Sequence, residues 1–219
     1  TAMSALVLAE CYRRNPSDEQ KERLLEIVQL AEARMEPTAG WGHNKGYSKK
    51  NNYPGIDLTS LTSMMFSAMS EMQAAGIPVK PTLLEAVRKR QEENSEGFGL
   101  RYGSSAGDTD KSMGRGAWAW LGLRASSDHS GKLFESVPKG LRLRYKDTHT
   151  GHAYPPLHFL GVALATHLLG PEDYKRYAEW WVDRLIALQQ ADGSVELPHS
   201  EQGKTWQKQD KLVASTAAF

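Results

Sequence analysis

The alternation of two kinds of helical segment limits most strongly what this chain of 219 residues can fold into. One kind is apolar and rich in small residues, as in MSALVLA, LTSLTSMMFSAMS, GRGAWAWLGL, LHFLGVALATHLLG and LVASTAAF. A helix that is apolar on most faces must be surrounded by other helices. The other kind is amphipathic: over 171–190, apolar residues recur every three or four positions opposite charged ones. The alternation predicts inner helices that are covered by outer helices.

Hydrophobic periodicity predicts nine helices, and no strong strand pattern interrupts them. The second helix begins at Pro16-Ser17-Asp18 and the eighth at Gly170-Pro171, both of which are typical helix starts. The predicted helices run over about 2–14, 17–35, 57–75, 81–94, 111–125, 129–139, 156–169, 171–190 and from 211 onward.

Glycine-marked turn segments separate the helix pairs. Gly40, Gly97, Gly151 and Gly193 follow one another in steps of 57, 54 and 42 residues, and each step holds one inner and one outer helix. A period of this length is typical of helical-hairpin repeats, which build either an open solenoid or a closed ring. The apolar inner helices favour the ring. We therefore predict an all-α fold, an α/α toroid of about four helix pairs plus a ninth helix.

Composition excludes several classes of protein. The chain has 27 basic and 26 acidic residues and a formal charge of +1, which argues against nucleic acid as a partner. Cys11 has no second cysteine to pair with, so we expect neither a disulfide framework nor a thiolate-rich metal site. The longest apolar stretch, 159–170, is shorter than a membrane span.

The chain is predicted to be one domain, residues 1–219. Both ends read as the interior of apolar helices, so we expect a piece of a longer polypeptide, with other domains of the same chain as partners. The sequence leaves the localisation open.

The turn segments also carry a resemblance. GWG, GFG and QQADGSVELP resemble the turns of the terpenoid cyclase and protein prenyltransferase superfamily of α/α toroids, and this resemblance covers nearly the whole chain at the level of pattern. The stretches GWGHNKGY, GFGLRYG and TGHAYPPLHFLG are similar to a family of bacterial proteins of unknown function classed with those toroids. The resemblance implies the toroid fold, and the bacterial family supplies no activity.

The catalytic signatures of that superfamily are missing. The string nearest to an Asp-x-Asp-Asp acid motif is Asp108-Thr109-Asp110-Lys111, in which Lys111 favours ionised rather than protonated carboxyls. An Asp-Asp-x-x-Asp magnesium motif is absent, and Cys11 lies in an apolar helix far from any zinc-binding motif. We therefore predict neither a metal nor a cofactor.

In such a ring the turn segments gather at one mouth, so their polar side chains are the candidate site. Histidine and tyrosine are the candidates for proton transfer, and aromatic, amide and charged side chains are the candidates for binding a ligand. The catalytic candidates are His43, Tyr102, His152 and Tyr154. The ligand-binding candidates are Trp41, Asn44, Arg101, Asp108, Asp110, Lys111 and Arg115. Residues 41–56 contain three basic residues and no acidic one, and residues 139–146 contain four basic residues and no acidic one. These runs predict a basic mouth that attracts an anionic ligand.

Three functions fit this site. The first is a lyase or hydrolase, or a binding domain, for an anionic polysaccharide; lyases with α/α toroid folds generally use a Tyr or His with a group that neutralises the uronate, which is an analogy between folds. The second is a protein that handles prenyl diphosphates in an apolar cavity lined by Met64, Met65, Trp118, Trp120 and Phe159. The third is a scaffold without chemistry.

Several of these residues also have a purely structural interpretation. We expect Trp118 and Trp120 to lie in the core, and His158 and His167 to be hydrogen-bonded structural histidines of an inner helix. Asp108 and Asp110 are equally well explained as caps of the helix that follows them.

Overall fold

The computed structural model describes residues 2–42, 58–102, 112–126, 129–150 and 155–193. These residues form eight α-helices, so the prediction of an all-α fold is confirmed. The helices are α1 (Ala2–Arg14), α2 (Asp18–Arg34), α3 (Thr59–Ala74), α4 (Pro81–Glu93), α5 (Met113–Ala125), α6 (Lys132–Arg144), α7 (Pro155–Leu169) and α8 (Pro171–Ile186). Two short antiparallel strands, β1 (Ser95–Glu96) and β2 (Gly99–Leu100), follow α4, and a 3₁₀-helix (Tyr145–Asp147) follows α6.

Six of these helices begin and end within two residues of their predicted positions. The helix α8 ends at Ile186, four residues before its predicted end, and the largest difference is in α6. It was predicted to end near Lys139 but continues to Arg144, through Pro138 and Gly140. The helix continues because Leu133, Val137 and Leu141 form one buried face. Gly140 is needed there: a methyl group at this position would lie 2.3 Å from the Cβ of Phe98. The predicted ninth helix, from 211 onward, lies outside the described residues.

The helices pack in two layers. The odd-numbered helices form an inner row in which α3 packs between α1 and α5, and α5 packs between α3 and α7. Each even-numbered helix packs on the inner helix that precedes it. The inner row is the centre of the core, and residues 113–120 of α5 are all buried.

Neighbouring inner helices run in the same direction. The hydroxyl of Ser67 in α3 donates to the carbonyl of Trp118 in α5, and the indole of Trp118 donates to the carbonyl of Leu157 at 2.9 Å. Directly before α5, Ser112 lies beside His158 of α7. The first residues of α3, α5 and α7 therefore lie at one end of the inner row, which we call the starting end. Trp118 and Trp120 are both buried, as predicted.

Small residues let the inner helices approach closely. A methyl group at Gly122 of α5 would lie 2.4 Å from Cδ1 of Phe66 in α3. A methyl group at Gly161 of α7 would lie 2.7 Å from the indole nitrogen of Trp118. Both distances are shorter than van der Waals contact, so the spacing of the row depends on glycine at these positions.

Specific polar contacts fix the outer helices. The Glu92 carboxylate at the end of α4 accepts a hydrogen bond from the backbone N–H of Leu133 at 3.2 Å, which satisfies one of the free amides at the start of α6. The hydroxyl of Tyr177 in α8 donates to the carbonyl of Phe159 in α7 at 3.1 Å. Burial raises the pKa of Tyr177, so this hydroxyl keeps its proton.

Candidate functional site

Two turn segments meet at the starting end, beside the first residues of α3. The backbone N–H of Leu58 donates to the carbonyl of Trp41 at 3.0 Å. The next residue, Thr59, donates to the carbonyl of Tyr102 through both its backbone N–H, at 3.1 Å, and its hydroxyl, at 2.8 Å. Trp41 and Tyr102 are far apart in the sequence and are brought to the same helix end.

Trp41 anchors its turn segment to the helices. Its indole N–H donates to the carbonyl of Ala31 at 2.8 Å, and its backbone N–H donates to the hydroxyl of Thr62 at 2.9 Å. The side chain is 5% exposed and belongs to the hydrophobic core. Its predicted contact with a ligand stays a prediction, and its contacts with α2 and α3 are structural.

Tyr102 and Arg115 form a stacked pair. The guanidinium carbon of Arg115 lies 5.6 Å from the centre of the Tyr102 ring, within the range of a cation–π contact. Arg115 is fully buried in the first turn of α5, and its Nε donates to the carbonyl of Leu100 at 3.1 Å. Tyr102 is half-buried. A positive charge is therefore held under an aromatic ring that reaches the surface.

Arg101 lies next to this pair. Its Nη2 donates to the carbonyl of Glu93 at 2.9 Å, and its backbone N–H donates to the carbonyl of Asn94 at 3.1 Å. Among the described residues, no acceptor lies within hydrogen-bonding distance of its buried Nε. Tyr102 and Arg115 are two predicted site residues that the fold brings together, and Arg101 is the sequence neighbour of Tyr102.

Ser112 and His158 form a second polar contact at the starting end. The Ser112 hydroxyl lies 3.3 Å from Nδ1 of His158, and both residues are buried. A methyl group at Gly114 would lie 2.4 Å from the His158 ring, so this glycine makes room for the imidazole. The prediction that His158 is a hydrogen-bonded structural histidine is confirmed. No signal in the sequence predicts that Ser112 is its partner, because the two residues are 46 positions apart.

The prediction of a hydrogen-bonded structural histidine is wrong for His167. This side chain is exposed, and its ring meets the edge of Tyr174 with 5.4 Å between the ring centres. The apolar sequence around His167 suggested burial, but the histidine lies on a side of α7 that no described helix covers.

The basic run over 139–146 is largely engaged with other side chains. Arg142 lies 3.0 Å from a carboxylate oxygen of Asp173, and Arg144 lies 3.0 Å from one of Asp147. Lys146 lies 3.9 Å from the centre of the Trp180 ring. The sequence shows four bases and no acid here, whereas the fold supplies acids from other segments. Of this run, only Lys139 has no described ion pair or aromatic contact.

His149 precedes the third predicted turn segment and lies beside α8. Its ring meets the edge of Trp181 with 5.5 Å between the ring centres. Its Nδ1 is buried and has no hydrogen-bond partner among the described residues. His149 is not among the site residues that the sequence predicts.

Seven predicted site residues lie outside the described residues, and their roles stay predictions. They are His43, Asn44, Asp108, Asp110, Lys111, His152 and Tyr154. Within the described part of the chain, no group of three or more His, Cys, Asp or Glu side chains is placed to hold a metal ion. None of the described helices is both long and apolar enough to cross a membrane. Comparisons with protein families, with curated proteins and with solved structures find no match to this chain.

Proposed function

We propose that the chain is an arc of an α/α toroid that binds an anionic carbohydrate at the starting end of its inner helices and acts on it as a lyase or hydrolase. The toroid part of this proposal is supported by the single row of inner helices, each with an outer helix packed on it. The ligand is inferred from the chemistry of the starting end, and the buried Arg115 under Tyr102 is the observation that carries it.

The helix dipoles favour an anion at the starting end. Parallel helices present their positive ends on the same side, and here α3, α5 and α7 do so. Neither Leu58 nor Ser112, the residues before α3 and α5, caps its helix with a side-chain acceptor. Within the described part of the chain, the partial positive charges of these two helix ends therefore have no side-chain cap to balance them.

The side chains at this end suit a uronate. Arginine binds carboxylates through planar, paired hydrogen bonds, and the half-buried Arg101 holds its Nη2 at an exposed position beside the carbonyl of Glu93. The half-exposed Tyr102 ring offers a flat apolar face of the kind on which sugar rings stack. Arg115 beneath it adds a fixed positive charge close to the carboxylate.

In the proposed elimination, a base removes the proton at C5 of the uronate while the bond between C4 and the leaving oxygen breaks. The electron pair of the C5–H bond forms the C4–C5 double bond, and an acid protonates the leaving oxygen. Neutralising the carboxylate makes the C5 proton more acidic. His152 and Tyr154 are the proposed base and acid, and they directly precede α7, whose first turn carries His158.

The prenyl diphosphate alternative has less support. Met64, Trp118, Trp120 and Phe159 are all nearly fully buried. Trp118 packs between α3 and α7, and Phe159 meets the ring of Trp181 at 4.7 Å between ring centres. These contacts favour a role in the core over a role in lining a ligand cavity.

Replacing the proposed acid and base tests the activity. His152→Ala and Tyr154→Phe are expected to lower turnover of uronate oligosaccharides by about 100-fold or more, since this is the usual contribution of general acid–base catalysis. Turnover is measured as unsaturated product in the ultraviolet and as new reducing ends. The free energy of unfolding should stay within about 1 kcal/mol of the parent value.

His167→Ala and Tyr174→Phe are matched controls, because both residues are exposed and lie on α7 and α8 away from the starting end. They are expected to leave turnover unchanged. If the parent turns over no uronate oligosaccharide but is stabilised by a prenyl diphosphate, the alternative function replaces this one. If neither class of ligand has an effect, the scaffolding interpretation stands.

A further inference from the structure

Two positive side chains meet at the ring of Trp180 in α8. The Nζ atom of Lys146 lies 3.9 Å from the centre of this ring, and the guanidinium carbon of Arg184 lies 3.7 Å from it. Both distances are within the range of a cation–π contact. The two positive groups therefore lie within about 8 Å of each other, a distance at which like charges repel.

The fold brings these residues together from two elements. Lys146 belongs to the 3₁₀-helix after α6, and the carbonyl of its neighbour Tyr145 accepts a hydrogen bond from the indole N–H of Trp181 at 2.7 Å. The Tyr145 ring meets the Trp180 ring edge-on, with 6.5 Å between the ring centres. Arg184 lies one turn after Trp180 on α8, and its Nη1 donates to the carbonyl of Trp180 at 2.6 Å. These contacts hold the Trp180 ring and the Arg184 guanidinium in place.

No described acid balances these two positive charges. Lys146 and Arg184 are both exposed, and neither forms an ion pair within the described part of the chain. The neighbouring acid Asp147 pairs with Arg144 instead, at 3.0 Å. Asp183 is next to Arg184 in the sequence, but adjacent residues of a helix do not face each other. Both positive groups are therefore open to an anion from solution.

We propose that Lys146 and Arg184 bind a phosphate monoester beside the Trp180 ring. Near pH 7.5 a phosphate monoester carries about two negative charges, so it balances both cations and relieves their repulsion. Arginine and lysine bind phosphate oxygens through charge-assisted hydrogen bonds. A carboxylate or a sulfate ester carries a single negative charge and leaves one of the cations unbalanced. The phosphate site shares no residue with the uronate site proposed above and does not depend on it.

NMR titration of the full chain with methyl phosphate tests the proposal. The indole N–H signal of Trp180 is identified by its absence from the spectrum of Trp180→Phe, and is followed at constant ionic strength near pH 7.5. We expect a saturating shift with a dissociation constant on the order of 1 mM, as two charge-assisted hydrogen bonds would give. Methyl sulfate, the singly charged analogue, should bind more weakly by about fivefold or more.

Removing either cation should weaken the binding of methyl phosphate. Lys146→Gln and Arg184→Gln are each expected to raise the dissociation constant by about tenfold or more, and the double variant should show no saturation. Both side chains are exposed, so these variants are expected to fold.

Arg176→Gln is the matched control, because it removes the same charge from an exposed position of α8, one turn before Trp180. It should change the dissociation constant by less than about twofold, since salt screens a charge that does not contact the ligand. Arg101→Met, which is expected to weaken the binding of a uronate, should leave the binding of methyl phosphate unchanged. Failure of one proposal is therefore distinguishable from failure of the other.

Two results would overturn the assignment. One is a Trp180 shift that is the same in the parent and in the double variant, or that grows with methyl phosphate without saturating. The other is equal affinity for methyl phosphate and methyl sulfate, which would remove the reason for a phosphate monoester. Glucose 6-phosphate and a phosphoserine peptide, titrated in the same way, identify a sugar or a protein segment as the source of the ester by which of them binds more tightly than methyl phosphate.

Discussion

Replacing Gly122 with alanine is expected to lower the free energy of unfolding by about 2–3 kcal/mol, as overpacking of a close-packed core does. The added methyl group would lie 2.4 Å from Cδ1 and 2.7 Å from Cε1 of Phe66, and 3.1 Å from the backbone nitrogen of Ser67. Phe66 is 1% exposed and has no free space to move into. The loss should appear in chemical denaturation as a lower midpoint with an unchanged slope.

Gly116→Ala is the control on the same helix. The nearest atoms to an added methyl group there lie at 3.4 Å, which is ordinary contact. Alanine is favoured over glycine inside a helix by roughly 1 kcal/mol, so this variant should be neutral or more stable. If Gly122→Ala were as stable as Gly116→Ala, α3 and α5 would not pack as closely as described.

Replacing Arg115 with methionine is expected to lower the free energy of unfolding by about 2–3 kcal/mol and to abolish binding of a uronate ligand. Methionine fills much of the same space, but the buried carbonyl of Leu100 loses the hydrogen bond from Nε. The contact with the Tyr102 ring is lost as well. Denaturation and calorimetric titration measure the two effects separately. Arg115→Lys should restore little of either, since an ammonium group cannot reproduce the guanidinium geometry.

Arg101→Met separates the effect on stability from the effect on binding of the uronate. Arg101 donates to the carbonyl of Glu93 at a solvent-exposed position, and water can replace that bond. We expect the free energy of unfolding to change by less than about 1 kcal/mol, because exposed hydrogen bonds contribute little net stability. Binding of the uronate should weaken. Equal losses of stability in the two variants would contradict the assignment of Arg115 to the buried layer and Arg101 to the surface.

Local sequence patterns predicted most of the helices, because hydrophobic periodicity and capping residues act over a few positions. The ends of α1, α4 and α7 lie within about one residue of the expectation, well inside the usual error of such boundaries. The sixth helix was predicted to end near residue 139, but it continues through Pro138 and Gly140, two residue types that usually end a helix. Its continuation depends on Val137 and Leu141 packing in the core, and that contact is not visible in the local sequence.

Features that local sequence patterns did not predict depend on contacts between residues far apart in the sequence. His167 has the apolar neighbours of a buried histidine, and only the position of α7 at the edge of the described row leaves it exposed. The run of bases over 139–146 looked unopposed, yet Arg142 pairs with Asp173 from α8.

The candidate site was predicted in part. The turn segments at Trp41 and Tyr102 meet as expected of converging turns, because parallel inner helices bring their first residues together. The sequence identified Arg115 as a polar residue near a turn. It did not predict that the guanidinium is fully buried and stacked under Tyr102, since this depends on the position of β2 and α5.

Calorimetric titration of the parent protein with a uronate oligosaccharide, beside a neutral oligosaccharide of the same linkage and length, tests the central proposal most directly. We expect the charged oligosaccharide to bind, its affinity to fall as salt is raised, and the neutral one to show no measurable heat, because the proposed ligand is an anion held by positive charges. Equal binding of the two oligosaccharides, or binding of neither, would contradict it.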